Sequence, residues 1–229
     1  MTTILAIETS TDLASVALLH DQQIMSRDLP GVQTHSFGLL PAVQELLHEA
    51  SLSIVDVDAI AFGCGPGAFT GVRTACGVVQ GLAFGLQIPV LPVVSLLSMA
   101  AFARDATSNT ELVCCLDARM NEVYWAHYRW DGQVWAVVTP PCLGDFAQAI
   151  AYAIGVQADL VLGHGLLVPE SANQLNVVNA MPHASLVLRI AENDFHSGMH
   201  ADANHAQPLY LRNKIALTTA ERQLARGNE

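Results

Sequence analysis

The sequence predicts an α/β protein of two lobes, each a mixed sheet with helices, built by an internal duplication. Three observations carry this. First, Thr3-Ile-Leu-Ala-Ile-Glu8 reads as a buried strand ending at an acid. The polar turn Thr9-Ser10-Thr11-Asp12 follows, then strands over 14–20 and 23–29 joined by the hairpin loop Asp21-Gln22. Second, the succession returns: Leu112-Val-Cys-Cys-Leu-Asp117, the turn Ala118-Arg119-Met120-Asn121, and strands over 122–129 and 133–139 around Trp130-Asp131-Gly132. Glu8 to Ile24 spans 16 positions and Asp117 to Val134 spans 17. Third, residues 105–110 are polar and interrupt the hydrophobic run, which places the lobe boundary between 1–104 and 105–229.

The elements follow in order. A helix is expected within 36–50, with Leu39, Val43, Leu46, Leu47 and Ala50 on its apolar face and Pro41 near its first turn or at a kink. A short buried strand over 58–62 leads into Gly63-Cys-Gly-Pro-Gly-Ala-Phe-Thr-Gly71, then a helix over 72–86, a strand over 89–93 and a helix over 95–104. In the second half, a helix over 143–154 and a strand over 159–162 precede the glycine turn Gly163-His164-Gly165. Residues 182–193 read as helix and 195–207 as loop. Residues 208–225 include a final charged helix, which is expected to be able to pack back on the first lobe.

The glycine loop between strand and helix has two readings. One is close backbone approach with an anion at the helix N-terminus, and the other is a tight strand-to-helix turn. The string is neither G-x-G-x-x-G nor a P-loop with its lysine, so both stay open. Thr70 is placed to cap the helix. On a helical wheel Gln80 and Phe84 fall near Arg73, and Gly77, Gly81 and Gly85 form an adjacent stripe. Ala75, Val78, Val79, Leu82 and Leu86 cover the opposite side, toward a sheet. Glycine costs about 1 kcal/mol relative to alanine inside a helix, so close approach of another backbone is the expected compensation. That backbone belongs either to this chain or to another.

Composition narrows the class. Of 229 residues, 52% are hydrophobic and 14% charged, enough for a generous core and a partly covered surface. A net charge of −11 argues against this chain gripping nucleic acid alone, because phosphate contacts need Lys and Arg. Five cysteines scattered through apolar stretches suggest a reducing cytoplasm and no disulfide framework. Cys114 and Cys115 would point to opposite faces of a strand as packing residues. The opening residues lack a basic region and meet Glu8 early, unlike a signal peptide. Residues 74–103 carry no charge, yet Pro89, Pro92 and three glycines divide them into helix, turn, strand and helix, so no membrane span is expected.

Two lobes that each open with strand, acid, turn and hairpin resemble the actin-like ATPase (ribonuclease H-like) and sugar kinase superfamily. There a nucleotide sits between the lobes, held by the two acidic hairpin turns. The resemblance then narrows. Ile7-Glu8-Thr9-Ser10, Gly65-Pro-Gly-Ala-Phe-Thr-Gly-Val-Arg73, Leu116-Asp117-Ala118-Arg119 with Glu122-Val123-Tyr124, and Pro208-Leu-Tyr-Leu-Arg212 are similar to the TsaB (YeaZ) family. They spread over nearly the whole chain.

That resemblance implies a noncatalytic role in making threonylcarbamoyl adenosine beside the anticodon of tRNA. The implied partners are a TsaD-like catalytic subunit and a TsaE-like ATPase, with tRNA reached through the complex and a homodimer when the chain is alone. The family contact uses the first-lobe helices, which points to His35, Leu39, Leu40, Val43, Leu47, Arg73, Gly77, Gln80, Gly81 and Phe84. TsaD-like proteins carry two metal-ligating histidines four residues apart after a strand ending in Pro-Val; Ser95 and Met99 stand there instead, so no metal is expected. Nucleotide or anion candidates are Glu8, Thr9, Ser10, Asp117, Arg119, Gly163 and Gly165. Arg119 stands where a phosphate-binding hairpin wants glycine. No cofactor is therefore expected in the chain alone, with ATP or ADP reserved for a complex interface.

Two other readings compete. Glu8, Asp117 and the glycine turns motivate a self-sufficient ATP-dependent phosphotransferase. His196, His200 and His205 motivate a metallopeptidase, although their loose spacing in a polar loop favours a solvated surface. His35 reads as a capping or surface residue in preference to an interface one. Trp125 and Trp135 read as packing residues.

Overall fold

The structure is a computed structural model that describes residues 2–30, 35–106, 110–166 and 172–212. The first sheet contains β1 (Thr3–Glu8), β2 (Leu13–His20), β3 (Gln23–Pro30), β4 (Ala59–Gly65) and β5 (Val90–Val94), in the order β3-β2-β1-β4-β5. The second contains β6 (Glu111–Arg119), β7 (Glu122–Trp130), β8 (Trp135–Asp145), β9 (Leu160–His164) and β10 (Val177–Asn179), in the order β8-β7-β6-β9-β10. Strand orders and directions match one for one. An antiparallel meander occupies one edge of each sheet and two parallel strands the other. The repeated strand–acid–turn–hairpin pattern is thus the start of two copies of one sheet.

Among the described residues five helices cover the sheets: α1 (His35–Glu49), α2 (Phe69–Leu86), α3 (Ser95–Ala106), α4 (Phe146–Gly155) and α5 (Ala184–His196). Period-two alternation sends Leu5, Ile7, Val16, Leu18, Ile60 and Phe62 toward α1 and α2. The other face presents smaller residues, among them Ala6, Ala17, Ala59 and Ala61, which let α5 approach through Ala184, Val187, Leu188 and Ala191. In the second sheet Leu112, Cys114, Leu116, Ala126 and Tyr128 meet α3, while Val113, Cys115, Val123 and Val161 meet α4. Cys114 and Cys115 therefore do serve opposite cores.

The two sheets fall on either side of residues 104–105, but the packing crosses that line. Helix α3 follows the first sheet in the chain and packs on the second. Helix α5 follows the second sheet and packs on the first, and α3 and α5 touch each other. The remaining differences from expectation are local. Strand β8 runs on to Asp145, which caps α4 by accepting from Ala147 N–H at 2.7 Å, so that helix starts later than residue 143. Pro41 lies inside α1, within its first two turns. The expected charged helix after residue 208 falls outside the described residues beyond Arg212.

Candidate functional site

The glycine loop closes on the turn after β1. Ala68 N–H donates to the Ser10 carbonyl at 2.7 Å, and the Thr9 hydroxyl donates to the Gly71 carbonyl at 2.7 Å. A Cβ at Gly67 would collide with Ser10, and one at Gly71 with the Thr9 carbonyl. The glycines thus admit the protein's own backbone, and of the two readings of this loop the geometry follows the tight turn. Helix α2 begins at Phe69 with Ala68 as its N-cap and no side-chain cap. Thr70 is inside the first turn, where its carbonyl accepts from the Thr74 hydroxyl, so the expected Thr70 cap is not formed.

Glu8 is fully buried beneath this loop. Its Oε1 accepts from Ser10 N–H at 2.7 Å, and its Oε2 accepts from the Ser95 hydroxyl at 2.9 Å; Ser95 Oγ accepts in turn from Gly65 N–H at 3.2 Å. Burial pushes the Glu8 carboxyl above its ordinary range, against the opposing pull of hydrogen bonds from Ser10, Ser95 and Thr9. Ser95 and Met99 are both buried, the first on Glu8 and the second in the core under α3. Among the described residues no cluster of His, Cys, Asp or Glu is arranged to hold a metal ion, those of residues 196–205 included.

A cavity of about 610 Å³ separates the lobes. Its polar lining comes from Ser10, Thr11, Asp12, Asp117, Arg119 and His164, and its apolar side includes Phe69, Val72, Leu116 and Tyr124. Asp12 on the first-lobe turn and His164 at the end of β9 lie 3.0 Å apart across it. The His164 contact holds the Asp12 carboxyl below its ordinary range. Asp117 accepts from Arg119 N–H at 2.8 Å and pairs with its guanidinium at 3.0 Å. Arg119, Met120 and Asn121 all have left-handed backbones.

Residues 209–212 strap the lobes together over this cavity. Leu209 N–H donates to the Cys64 carbonyl at 2.7 Å. The Tyr210 ring packs 5.6 Å from Phe69, and the Arg73 guanidinium stacks 3.6 Å from the Phe69 centroid while its Nε donates to the Tyr210 hydroxyl. Arg212 reaches the other lobe, donating to the Ala118 carbonyl at 3.0 Å, to the Glu122 carboxylate and to Met120 Sδ.

The outer face of α1 and α2 is a second candidate. Phe37 is 85% exposed, Leu40 46% and Phe84 71%. Gly77, Gly81 and Gly85 have nothing within 4 Å of where a Cβ would stand. Among the described residues, therefore, the glycine stripe has no intrachain neighbour.

The sequence-derived candidates divide accordingly. Arg73, Gly77, Gln80, Gly81, Phe84 and Leu40 are exposed on this layer, but Leu39, Val43 and Leu47 belong to the core under α1 and present no side chain to a partner. Those three lie on the apolar face of the helix, which is the face the sheet covers. The side chain of His35, the first residue of α1, lies outside the described residues. Of the nucleotide or anion candidates, Ser10, Asp117, Arg119 and Gly165 line the interlobe cavity. Glu8 is buried beneath the glycine loop, Thr9 is tied to Gly71, and Gly163 packs against Leu166. Sequence reasoning missed Asp12, His164, Tyr210 and Arg212 in the cavity wall, although the last two stand in a motif it quoted. It also missed Phe37, one helical turn from Leu40.

Two copies of one mixed sheet, with a cleft between the two acidic hairpin turns, define the duplicated ribonuclease H-like architecture of the actin-like ATPase fold. A family model described as TsaD, tRNA N6-adenosine threonylcarbamoyltransferase, matches residues 30–207. The tRNA threonylcarbamoyladenosine biosynthesis protein TsaB of Escherichia coli is 36% identical, covering 93% of this chain and 96% of its own length. The protein of the same name from Haemophilus influenzae is 34% identical, covering 93% and 94%. Two solved structures from Pseudomonas aeruginosa are also similar. One, described as uncharacterized with similarity to peptidase YeaZ, has a TM-score of 0.83 at 37% identity, covering 93% of this chain and 100% of that one. The other, YeaZ, has a TM-score of 0.76 at 36% identity, covering 92% and 100%. The chain belongs to the TsaB family.

Proposed function

We propose that this chain is a noncatalytic dimerisation and scaffold subunit of the complex that adds threonylcarbamoyl to the tRNA adenosine next to the anticodon. It binds a TsaD-like catalytic subunit through the outer face of α1 and α2. The observation that carries this is the glycine stripe of α2, open to solvent beside Phe84 and Gln80. Three glycines on one helix face lower its stability, and a helix from a second chain laid along the stripe offsets the loss by close backbone contact. Leu40, Phe37 and Phe84 give that contact its apolar area, and in the absence of the catalytic subunit the same face supports a homodimer.

A noncatalytic role is supported by the polar groups under the glycine loop, which are engaged within the chain. Glu8 is buried on Ser10 and Ser95, and the loop backbone lies against Thr9 and Ser10, where a phosphate would have to approach. The phosphotransferase reading is not favoured, since it needs that approach open. In this proposal ATP or ADP belongs to an interface of the assembled complex, a TsaE-like ATPase joins there, and tRNA is met in the cytoplasm through the complex.

The test is light scattering of this chain mixed with its TsaD-like partner, repeated with Gly81→Arg. A one-to-one complex that is lost in the folded variant is the expected result. No complex with the wild-type chain, together with ATP turnover or threonylcarbamoyl transfer by the chain alone, would overturn it.

A further inference from the structure

The first backbone N–H groups of an α-helix have no partner within it. At the start of α5 each finds an acceptor. Ala184 N–H donates to Ser15 Oγ at 2.9 Å and Ser185 N–H to His183 Nδ1 at 3.2 Å. Leu186 and Val187 N–H both donate to the His183 carbonyl at 3.0 Å. Ser15 lies on β2, and its cross-strand partner on β3 is Asp28. Directly opposed residues of antiparallel strands share a face. The pair forms a two-point cradle: Ser15 takes the helix backbone, and Asp28 Oδ1 lies 2.8 Å from His183 Nε2. In this way a helix from the second half of the chain is fastened to the sheet of the first.

The cap residue is a histidine with extended backbone, φ −147° and ψ 146°. An imidazole accepts at Nδ1 only while that nitrogen carries no proton, and the neutral ring then donates from Nε2. Asp28, an acceptor, selects that tautomer.

We propose that His183 is a pH-sensitive cap of α5 at the seam between the two halves of the molecule. Neutral, it caps α5 and grips Asp28 together. Protonation at Nδ1 leaves the Asp28 contact in place and withdraws the acceptor from Ser185 N–H. The new Nδ1–H then points at Ser185 Oγ, 2.7 Å away, which turns from donor to acceptor, and the backbone N–H loses its partner. The added charge also stands at the positive end of the α5 dipole, with Asp28 as its counter-charge. The neighbouring elements, among the described residues, present the following groups. β2 presents neutral Ser15, and β1, β4 and β5 meet α5 through aliphatic side chains. Arg104 of α3 is stacked on Trp130 of the second sheet.

The experiment follows the wild-type chain from about pH 8 to about pH 5, where histidines ordinarily change charge. Imidazole ¹⁵N shifts report the tautomer of His183, and amide hydrogen exchange at Ser185 reports the cap, referred to the unstructured peptide rate at each pH. The expected result is an unprotonated Nδ1 at the upper end and Ser185 protection that falls about fivefold in step with His183 protonation, the effect of losing one cap bond. His183→Asn, whose carboxamide oxygen accepts at any of these pH values, should show protection that does not change. A proton on Nδ1 at the upper end would overturn the proposal, as would wild-type Ser185 protection that does not follow the His183 titration. Both readings come from the wild-type protein and stand even if the variant does not fold.

Discussion

The Glu8 carboxylate occupies the space in which a side chain at Gly63 would stand. Neither group yields easily, since Glu8 is fixed by Ser10 and Ser95 and Gly63 is held in β4 opposite Val93 of β5. Gly63→Ala is expected to cost about 3 kcal/mol, the upper end of what overpacking typically does. Urea unfolding measures it, and a loss below about 1 kcal/mol would mean that Glu8 can leave its bonds cheaply.

The stripe glycines should behave in the opposite way. Gly77→Ala and Gly85→Ala place a methyl group in open space on a helix, so each should stabilise the lone chain by about 0.5–1 kcal/mol. The same denaturation measurement applies. A destabilisation would show that something within the chain already lies along the stripe.

Glu8 should make stability depend on pH in a defined sense. Its folded carboxyl is raised above the ordinary value of 4.5 by burial. Its favourable contribution is therefore complete below that ordinary value and is lost as pH rises through the folded one. Glu8→Gln removes the titration while keeping an acceptor for Ser10 N–H. Unfolding midpoints measured across this range should converge toward acid and separate toward neutral pH, with wild type falling relative to the variant. Parallel curves would contradict the raised value.

Arg212 joins the strap to the second-lobe hairpin through the Ala118 carbonyl and Glu122. Arg212→Ala should cost about 1–3 kcal/mol, as expected for charge-assisted bonds in a half-buried place. It should also raise hydrogen exchange in the strap itself, at the Leu209 amide. Unchanged exchange there would mean that Tyr210, Phe69 and Arg73 hold the strap without help from the other lobe.

The cysteines should be poor nucleophiles. Burial pushes the Cys64, Cys76 and Cys115 thiols up to about 12, and it also raises Cys114 well above the ordinary thiol value. A thiol reagent near pH 8 should label the half-buried Cys142 first and the other four only on unfolding. Rapid labelling of Cys64 or Cys76 in the native state would show that the glycine loop opens.

Much of the fold was legible because its signals are local. Each sheet begins with an apolar run, an acid and a hairpin, and period-two alternation survives in Cys114 and Cys115. The glycine loop was legible as a turn, but its contact with Thr9 and Ser10 depends on residues about sixty positions away. The partner face was legible only in part. Hydrophobicity singles out Leu39, Val43 and Leu47, which the core also selects, whereas exposed Phe37 carries the same apolar signal on the solvent side. Asp12 and His164 left no trace in the sequence, because each is an ordinary polar residue until two separate turns bring them within 3.0 Å.

The exchange of α3 and α5 across the sheets means that the molecule cannot be cut where its sequence repeats. A fragment ending near residue 104 would keep its first sheet but expose the alanine-rich face that α5 covers, and would carry α3 stripped of its packing against α5 and the second sheet. Each copy of the ancestral unit has surrendered the lid of its own core to the other. The duplication survives as a pattern, but its products have become thermodynamically inseparable.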